Sequence, residues 1–233
     1  SGDYPQAIRF YEKAWEANPR ATDALLNQGS ALDWLGEKTQ AEYKWLLAEE
    51  QAQATGNTGA LGFIHMNLGG LYYYRGEPDR ALRAYEQAAL YRDDDHIIHG
   101  RIAESHRALG NRNEELKAYE KAIRLGKRAH EDNPGNWETL GLLAIYHGFS
   151  GYADQAGDYL KTTLALDVRD RNTDYFAALA YWSIGDVESA LASLELAWQQ
   201  GAMHYVLAND PDLQQHRLIH PARFDEITGA PDN

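Results

Sequence analysis

The stretch NLGGLYYYRGEPDRALRAYEQA, residues 67–88, places a Gly-Glu-Pro break between two segments that favour helix. A glycine at such a break favours the left-handed backbone that ends a helix, and a nearby proline favours the start of the next one. The stretch therefore predicts two helices joined by a turn at Gly76, with Tyr72 packed between them.

The same pattern recurs along the whole chain. A glycine is followed five residues later by a small or polar residue and, four residues after that, by a large one. Successive steps are 34, 40, 34, 41 and 34 residues, between Gly2, Gly36, Gly76, Gly110, Gly151 and Gly185. A period of this length is typical of repeated helix hairpins. The two longer steps predict longer second helices, at about residues 38–54 and 114–131.

These repeats resemble the tetratricopeptide repeat (TPR) family. Residues 67–88 carry the family's Leu-Gly, aromatic, Gly, Ala, aromatic, Ala series. WETLG at residues 137–141 matches its Trp-x-x-Leu-Gly opening, and Asn18-Pro19 matches its closing proline. The resemblance implies an all-α fold, a right-handed TPR superhelix (an α-solenoid) of antiparallel helix pairs with a C-terminal cap.

One unit leaves two positions open for its turn. Trp137, Leu140 and Gly141 favour a turn at Gly148. The spacing to Ala156 and Leu160 favours a turn at Gly151 instead.

The repeat divides the chain into three predicted segments. Residues 1–20 form the second helix of a truncated unit, 21–203 an array of about five units, and 204–233 a C-terminal cap. Because Gly2 is a mid-unit turn, we expect the missing first helix to lie upstream of Ser1 in a larger protein. The resemblance to bacterial regulators implies a kinase, cyclase or DNA-binding transcription factor domain there.

Composition narrows the classes of partner. The formal net charge of −13 repels phosphate backbones, so nucleic acid is not expected as a partner. The sequence contains no run of about 20 apolar residues, the length that a membrane-spanning helix needs. The absence of cysteine is consistent with a reducing, cytoplasmic location.

The sequence predicts no enzyme, cofactor or metal site. LGEKT at 35–39 and GNTGALG at 56–62 lack the spacing of a phosphate-binding loop. HGFSG at 147–151 lacks the spacing of a nucleophile elbow. His99 and His106 fall at inward positions of the repeat, which favours packing over metal ligation.

In the family the resemblance points to, the first helix of each unit lines a concave groove. Positions at fixed offsets before the turn glycines then predict a peptide-binding groove made of aromatic rings and polar side chains: Asn27, Trp34, Phe63, Asn67, Tyr73, Tyr74, Arg101, Arg107, Tyr175, Phe176 and Trp182. Phe149 joins them if Gly151 is the turn, and Glu138, Leu142 and Ile145 face the groove in either register. The alternative is that longer helices or the C-terminal cap cover these rings.

The polar members of the groove indicate the chemistry of a ligand. Asn27 and Asn67 recur at one groove position and resemble the asparagine ladder that holds an extended peptide backbone. Arg101 and Arg107 are placed to hold one acidic or phosphate group.

The predicted function is a scaffold that binds a protein or peptide segment in this groove. Two alternatives remain open. The array is a regulatory or sensory arm of a multidomain bacterial regulator, or it is a module that forms homo-oligomers through its exposed N-terminal half unit.

Overall fold

The computed structural model describes residues 4–18, 20–166, 172–201 and 209–228. Within these ranges all regular secondary structure is α-helical, which confirms the predicted all-α class. The chain divides into two compact units, unit 1 at Ser1–Asp94 and unit 2 at Asp95–Asn233.

Unit 1 consists of two helix hairpins preceded by one more helix. The second and third helices form the first hairpin and the fourth and fifth the second, while the first helix packs on the second. The helices are α1 Tyr4–Ala17, α2 Thr22–Trp34, α3 Lys38–Thr55, α4 Thr58–Tyr74 and α5 Pro78–Ala89.

Unit 2 contains three hairpins, formed by α6 and α7, α8 and α9, and α10 and α11, followed by two short helices of which the last packs on α11. The helices are α6 His96–Ala108, α7 Arg112–Asp132, α8 Trp137–Phe149, α9 Ala153–Ala165, α10 Thr173–Ser183, α11 Val187–Gln199, α12 Pro211–Ile219 and α13 Pro221–Thr228. The longer second helices predicted at about 38–54 and 114–131 correspond to α3 and α7.

The hairpin turns are made by the predicted glycines. Gly36, Gly76, Gly110, Gly151 and Gly185 all have positive φ, between 74° and 88°. At the turn between α4 and α5, the Glu77 N–H donates to the Tyr72 carbonyl at 2.9 Å and the Gly76 N–H to the Tyr73 carbonyl at 3.0 Å. This pair of bonds satisfies the last carbonyls of α4, and only glycine takes the left-handed conformation without strain.

The turn between α8 and α9 lies at Gly151, with φ of +88°. Gly148 is instead a buried residue within α8, where it packs against the Ser183 side chain of α10. The sequence left both positions open, and the structure decides for Gly151, which brings Phe149 to the end of the groove-forming helix.

Inside the hairpins of unit 1, a glycine on the first helix faces an aromatic ring on the second helix. A Cβ added to Gly29 would lie 2.5 Å from the Trp45 indole, and one added to Gly69 would lie 2.5 Å from the Tyr85 ring. The Trp45 indole N–H donates to the Leu26 carbonyl at 3.1 Å, which locks the ring against α2. Close approach of the two backbones therefore depends on the absence of a side chain at the glycine.

The boundaries predicted at 1–20, 21–203 and 204–233 stay predictions. Gly2, Pro19, residues 202–208 and residues 229–233 lie outside the described residues. Of the predicted cap, α12 and α13 are described, and Phe224 in α13 is 2% exposed.

Candidate functional site

The predicted groove residues of unit 1 lie along two helices. Asn27, Ser30 and Trp34 are spaced by three and four residues on α2, and Phe63, Asn67 and Tyr74 by four and seven on α4. Side chains at these spacings share one side of a helix. We call these six residues the unit 1 face.

The two helices of the unit 1 face are joined by a hydrogen bond. The Asn67 amide donates through Nδ2 to Ser30 Oγ at 3.3 Å, and Ser30 Oγ donates to the Leu26 carbonyl at 3.1 Å. An asparagine amide carries two donors and one acceptor, so this bond orients the Asn67 side chain while leaving it further bonding capacity. Asn27 on the neighbouring helix is exposed.

Two large rings of the unit 1 face meet solvent. Trp34 is 44% exposed and Phe63 is 50% exposed. Each ring has a partner on one side: Trp34 stacks on Tyr4 with centroids 5.8 Å apart, and the Arg92 guanidinium lies 4.0 Å from the Phe63 centroid. These contacts fix the ring positions and leave much of their surface open.

Tyr73 differs from its prediction, because it is only 2% exposed and lies in the interior. It follows Gly69 by four residues and therefore shares the stripe of α4 that packs into the hairpin. Tyr74, whose ring centroid is 5.6 Å from that of Tyr73, is half-buried at the end of α4. Tyr72 is buried as predicted, and its hydroxyl donates to Glu42 at 3.0 Å.

The corresponding side of unit 2 combines buried apolar residues with two half-buried arginines, Arg101 and Arg107. Leu142, Ile145 and Phe176 are 4%, 2% and 8% exposed, in contrast to the prediction that they face an open groove, and Glu138 is exposed. Trp182 is half-buried at the end of α10. We call this side the unit 2 face; it consists of Arg101, Arg107, Leu142, Ile145, Phe149, Tyr175 and Phe176.

The C-terminal segment Asn209–Leu213 contacts the unit 2 face. The Arg107 guanidinium pairs with both carboxylate oxygens of Asp212, with Nε 3.0 Å from Oδ1, and the Tyr175 hydroxyl donates to Asp210 Oδ2 at 2.6 Å. Leu213 is fully buried. These contacts support the alternative weighed from the sequence, in which the chain's own C-terminal region covers part of the predicted groove.

Arg107 is held in a stack of rings. Its guanidinium lies 3.6 Å from the Phe149 centroid and donates to the Tyr119 hydroxyl, and the Tyr119 and Phe149 rings are stacked with an interplanar angle of 8°. Arg101, six residues earlier, pairs with Glu104 at 2.7 Å. The predicted joint use of both arginines on one acidic group is therefore not what unit 2 shows: each arginine has its own carboxylate within the chain.

Acidic groups outnumber basic groups around the described part of the C-terminal segment. Among the described residues, Asp210, Asp212 and Glu104 contribute three carboxyl groups, and Arg101 and Arg107 two guanidinium groups. Burial and the neighbouring Asp212, opposed by the hydrogen bond from Tyr175, raise the pKa of Asp210 to about 7. At pH 7 the Asp210 carboxyl group is therefore only partly ionised.

Sequence reasoning did not assign Asp210, Asp212 and Leu213 to any site. The sequence feature that marks them is Asp-Pro-Asp, a typical start of a helix. In the structure, Asp210 Oδ1 caps this helix by accepting hydrogen bonds from the backbone N–H groups of Asp212 and Leu213 at 2.8 and 3.2 Å. That sequence feature predicts a helix start but not the surface on which the helix docks.

A cavity of about 490 Å³ opens elsewhere in unit 2, between α7 and the turn joining α8 to α9. Its lining includes Leu116, Ile123, Lys127, His147, Ser150 and Tyr152. Burial, followed by the charge of Lys127, lowers the pKa of His147 to about 4, so this imidazole is neutral at pH 7.

The described ranges show neither a cluster of metal ligands nor a membrane-spanning helix. Among these residues no three or more His, Asp or Glu side chains come together as ligands for a metal ion. No helix in the same ranges combines the length and apolar character that a bilayer crossing requires.

Comparison with known proteins gives a family match. The model of the tetratricopeptide repeat matches residues 1–57 and 66–136, more than half of the chain. The TPR repeat-containing protein YpiA of Bacillus subtilis (strain 168) is 26% identical over 206 residues. That alignment covers 88% of this chain and 44% of YpiA, so the chain spans less than half the length of this curated relative.

Several solved structures have similar folds. The Cut9–Hcn1 hetero-tetramer of the APC/C aligns with a TM-score of 0.64 at 13% identity, over 98% of this chain and 46% of that chain. A thermophilic TPR protein of Thermus thermophilus gives 0.56 at 21% identity, over 85% and 98%. PilW, a type IV pilus biogenesis factor, gives 0.56 at 18% identity, over 92% and 90%.

At these identities the structural likeness establishes the fold, which is that of the TPR α-solenoids. The family model rests on the sequence itself and covers both units in part. Together with the glycine turns and the ring-on-glycine hairpins, it shows that the chain belongs to the tetratricopeptide repeat family.

Proposed function

We propose that the protein is a non-catalytic scaffold that binds an extended segment of another protein on the unit 1 face. The observation that carries this proposal is the exposure of Trp34 and Phe63, at 44% and 50%, beside the amides of Asn27 and Asn67. TPR proteins are generally scaffolds for protein–protein interaction, and large exposed rings next to oriented polar groups are typical of binding surfaces.

The amides supply contacts that do not depend on the sequence of the bound segment. An extended peptide offers a backbone N–H and a carbonyl in alternation, and an asparagine side chain pairs with both kinds of group. Asn67 is held by Ser30 and therefore loses little freedom when a peptide binds.

The rings supply the apolar part of the interaction. Trp34 is positioned by Tyr4, and Phe63 by Arg92, so both are preorganised. Burying the exposed half of each ring under a bound side chain favours association through the hydrophobic effect. Specificity then arises from the side chains that fit beside the two rings.

Selection from a random-peptide display library tests the proposal. Peptides selected on the unaltered chain are measured by calorimetry against Trp34→Ala, Phe63→Ala and Asn67→Ala variants. We expect each aromatic variant to bind about 30-fold more weakly, which corresponds to the roughly 2 kcal/mol of a hot-spot residue.

The matched control for this experiment is Tyr43→Ala, which removes an aromatic residue that is 63% exposed on α3, outside the unit 1 face. Its affinity for the selected peptides should equal that of the unaltered chain. Peptides that bind the Trp34 and Phe63 variants as tightly as the unaltered chain would refute the proposal.

Self-association is a second candidate, favoured by the surface of α1. Phe10 is 67% exposed, and none of the residues of α1 is buried. If α1 packs on another copy, light scattering over a range of concentrations will show a mass above one chain, and Phe10→Ser will restore the mass of one chain. An unchanged single-chain mass at all concentrations refutes this candidate.

The cytoplasmic location, the lack of a nucleic-acid partner and a regulatory role beside a kinase, cyclase or transcription factor domain stay predictions from the sequence.

A further inference from the structure

We propose that the unit 2 face is a receptor site for an acidic, helix-initiating protein segment, and that the chain's own C-terminal segment Asn209–Leu213 occupies this site as a built-in competitor. The partner segment carries a helix-capping side chain, an acidic residue two positions later and then an apolar residue, the places that Asp210, Asp212 and Leu213 fill in the internal segment. This inference goes beyond the proposed function, because it concerns unit 2 and does not involve the unit 1 face.

The first element of the site is a preorganised arginine. Arg107 meets both oxygens of Asp212 side-on, and the flat side of its guanidinium lies 3.6 Å from the Phe149 centroid. A guanidinium held over a ring and presented edge-on matches a carboxylate in two hydrogen bonds, which selects a carboxylate by shape as well as charge.

The second element is the Tyr175 hydroxyl, which binds the residue that caps a helix. Tyr175 donates to one oxygen of Asp210, while the other oxygen accepts from the N–H groups of Asp212 and Leu213. The Asp210 carboxyl group is thereby both the cap of α12 and the contact to α10. A segment must begin a helix at this residue in order to place its second carboxylate on Arg107.

The third element is a buried apolar residue. Leu213 is fully buried in unit 2, next in sequence to the two carboxylate contacts. Burying a leucine side chain contributes about 2 kcal/mol. The three elements together form a short motif: a helix-capping residue, any residue, an acidic residue and an apolar residue.

The buried ion pair of Arg107 and Asp212 indicates a site that selects a particular segment, and not a segment that merely covers the end of the fold. Buried ion pairs contribute little net stability compared with apolar contacts of the same volume, because both charges lose water. Arg107 and Asp212 have side chains that are only 14% and 8% exposed. A region that served only to cover unit 2 would gain little net stability from this pair, whereas a site that selects one kind of segment gains specificity from it.

Among the described residues, Glu104 pairs with Arg101 and Asp212 with Arg107, whereas Asp210 is 2% exposed and accepts hydrogen bonds from Tyr175 and two backbone N–H groups. Burying a carboxyl group is costly when it is ionised. A partner segment whose first position bears a neutral cap such as serine or asparagine avoids this cost. A competing segment therefore has room to bind more tightly than the internal one.

The test uses the full chain and a synthetic, fluorescently labelled peptide with the sequence of residues 209–219. In a release variant, Asp212→Ala with Leu213→Ala, the internal segment loses its ion pair with Arg107 and its buried leucine side chain. We expect the peptide to bind this variant at least tenfold more tightly than the unaltered chain, since an internal ligand competes at high effective concentration.

Two matched substitutions assign the binding to the site. Adding Arg107→Gln to the release variant should abolish binding, whereas adding Arg124→Gln, at an exposed position of α7, should leave it unchanged. A peptide with Asp212→Asn should bind at least tenfold more weakly than the unaltered peptide. Equal binding of the two peptides, or equal affinity of the release variant and the unaltered chain, overturns the proposal.

A second measurement is used if circular dichroism shows that the release variant has lost its helical structure. Hydrogen exchange is then followed in the unaltered chain at the N–H groups of Asp212 and Leu213, which both donate to Asp210. Excess peptide should accelerate exchange at these two positions, because it displaces the internal segment. Exchange rates that do not change at millimolar peptide refute displacement, and the outcome is independent of any ligand on the unit 1 face.

Discussion

The Tyr85 ring of α5 packs directly on the Cα of Gly69 in α4, so closely that a Cβ at Gly69 would lie 2.5 Å from two ring carbons. The same relationship joins Gly29 and Trp45 in the preceding hairpin. In both cases the ring lies sixteen residues after the glycine. Both hairpins thus share a contact, a ring on a bare backbone, that sets the distance between their helices.

Gly69→Ala is therefore expected to destabilise unit 1. The added methyl group meets a ring that is 1% exposed and has no space to move, so the hairpin must open. Overpacking of this kind costs about 1–3 kcal/mol, which a urea unfolding curve followed by circular dichroism measures as a lower midpoint.

The neighbouring residue provides the control. A Cβ at Gly70 would lie 3.7 Å from the Tyr85 hydroxyl, an ordinary contact. Gly70→Ala should leave the stability of unit 1 unchanged or raise it by about 1 kcal/mol through the helix propensity of alanine. If the two substitutions have equal effects, the ring does not set the hairpin spacing.

A second prediction concerns Glu42 of α3. Its side chain forms hydrogen bonds with residues of the next hairpin, which consists of α4 and α5. Its carboxylate accepts hydrogen bonds from Arg75 at 2.5 Å, Tyr72 at 3.0 Å and Arg80 at 3.1 Å. Burial opposes ionisation, but the bonds from Arg75 and Tyr72 outweigh it and lower the pKa of Glu42. Glu42→Gln should cost about 1–3 kcal/mol at pH 7, measured by urea unfolding.

The effect of Glu42→Gln depends on pH in a defined direction. Because the pKa of Glu42 is lowered on folding, its contribution is present above the ordinary glutamate value of 4.5 and is lost as the pH falls through the folded value. The variant and the unaltered chain should therefore converge in acid. The surface pair of Glu114 and Lys117 is the control, and Glu114→Gln should have no measurable effect.

The turns and hairpins could be predicted because local rules determine them. A positive φ at Gly76 and Gly110 follows from the chemistry of a helix end, and the length of α7 follows from the 41-residue step. The ambiguity between Gly148 and Gly151 arose because both are small. It is resolved by the Ser183 side chain on another hairpin, a contact that a local pattern does not contain.

The candidate site was less predictable for the same reason. Trp34 and Phe63 are exposed in unit 1 as the helical offsets suggest, but Tyr73, one residue from the exposed side, turns into the hairpin. In unit 2 the occupant of the face comes from a segment 105 residues after Arg107. Contacts over such a separation depend on the assembled fold, and periodicity within one helix carries no information about them.

His147 gives a third prediction, because neither ring nitrogen has a hydrogen-bond partner among the described residues. The ring is 4% exposed and stacks on Tyr159 with centroids 5.4 Å apart. Replacing an unsatisfied polar ring with an apolar ring of similar shape removes a desolvation cost. His147→Phe should leave stability at pH 7 unchanged or raise it by about 1 kcal/mol, and thermal unfolding at several pH values measures this.

The effect of His147 on stability depends on pH, and it differs between the unaltered chain and the variant at acidic pH. Its pKa falls to about 4 in the folded chain, below the ordinary value of 6.5, so the unfolded chain takes up the proton first. Stability of the unaltered chain should therefore decrease as the pH falls between these values, and this component should be absent from His147→Phe. His147→Ala, which also removes the titrating group but leaves a cavity, should lose about 2–3 kcal/mol at pH 7. Equal losses for Phe and Ala would show that the nitrogens are satisfied.

Asp210 has the opposite pH dependence and gives the fourth prediction. Its pKa is raised to about 7 by burial and by Asp212, with Glu104 adding to the effect and Tyr175 opposing it. An unfolded aspartate loses its proton near pH 4, so between about pH 4 and 7 the folded chain binds more protons than the unfolded chain. The contribution of this group to stability must then fall as the pH rises, by at most about 1.4 kcal/mol per pH unit.

Asp210→Asn isolates this contribution, because the amide oxygen still accepts the bonds from the N–H groups of Asp212 and Leu213 while the side chain no longer titrates. The variant should gain stability relative to the unaltered chain as the pH rises from about 4 to 7, whereas the two should be similar near pH 4. Urea unfolding at each pH gives the difference. A difference that is constant across this range would mean that Asp210 is ionised in the folded chain, and that the surplus carboxyl group on the unit 2 face is balanced in another way.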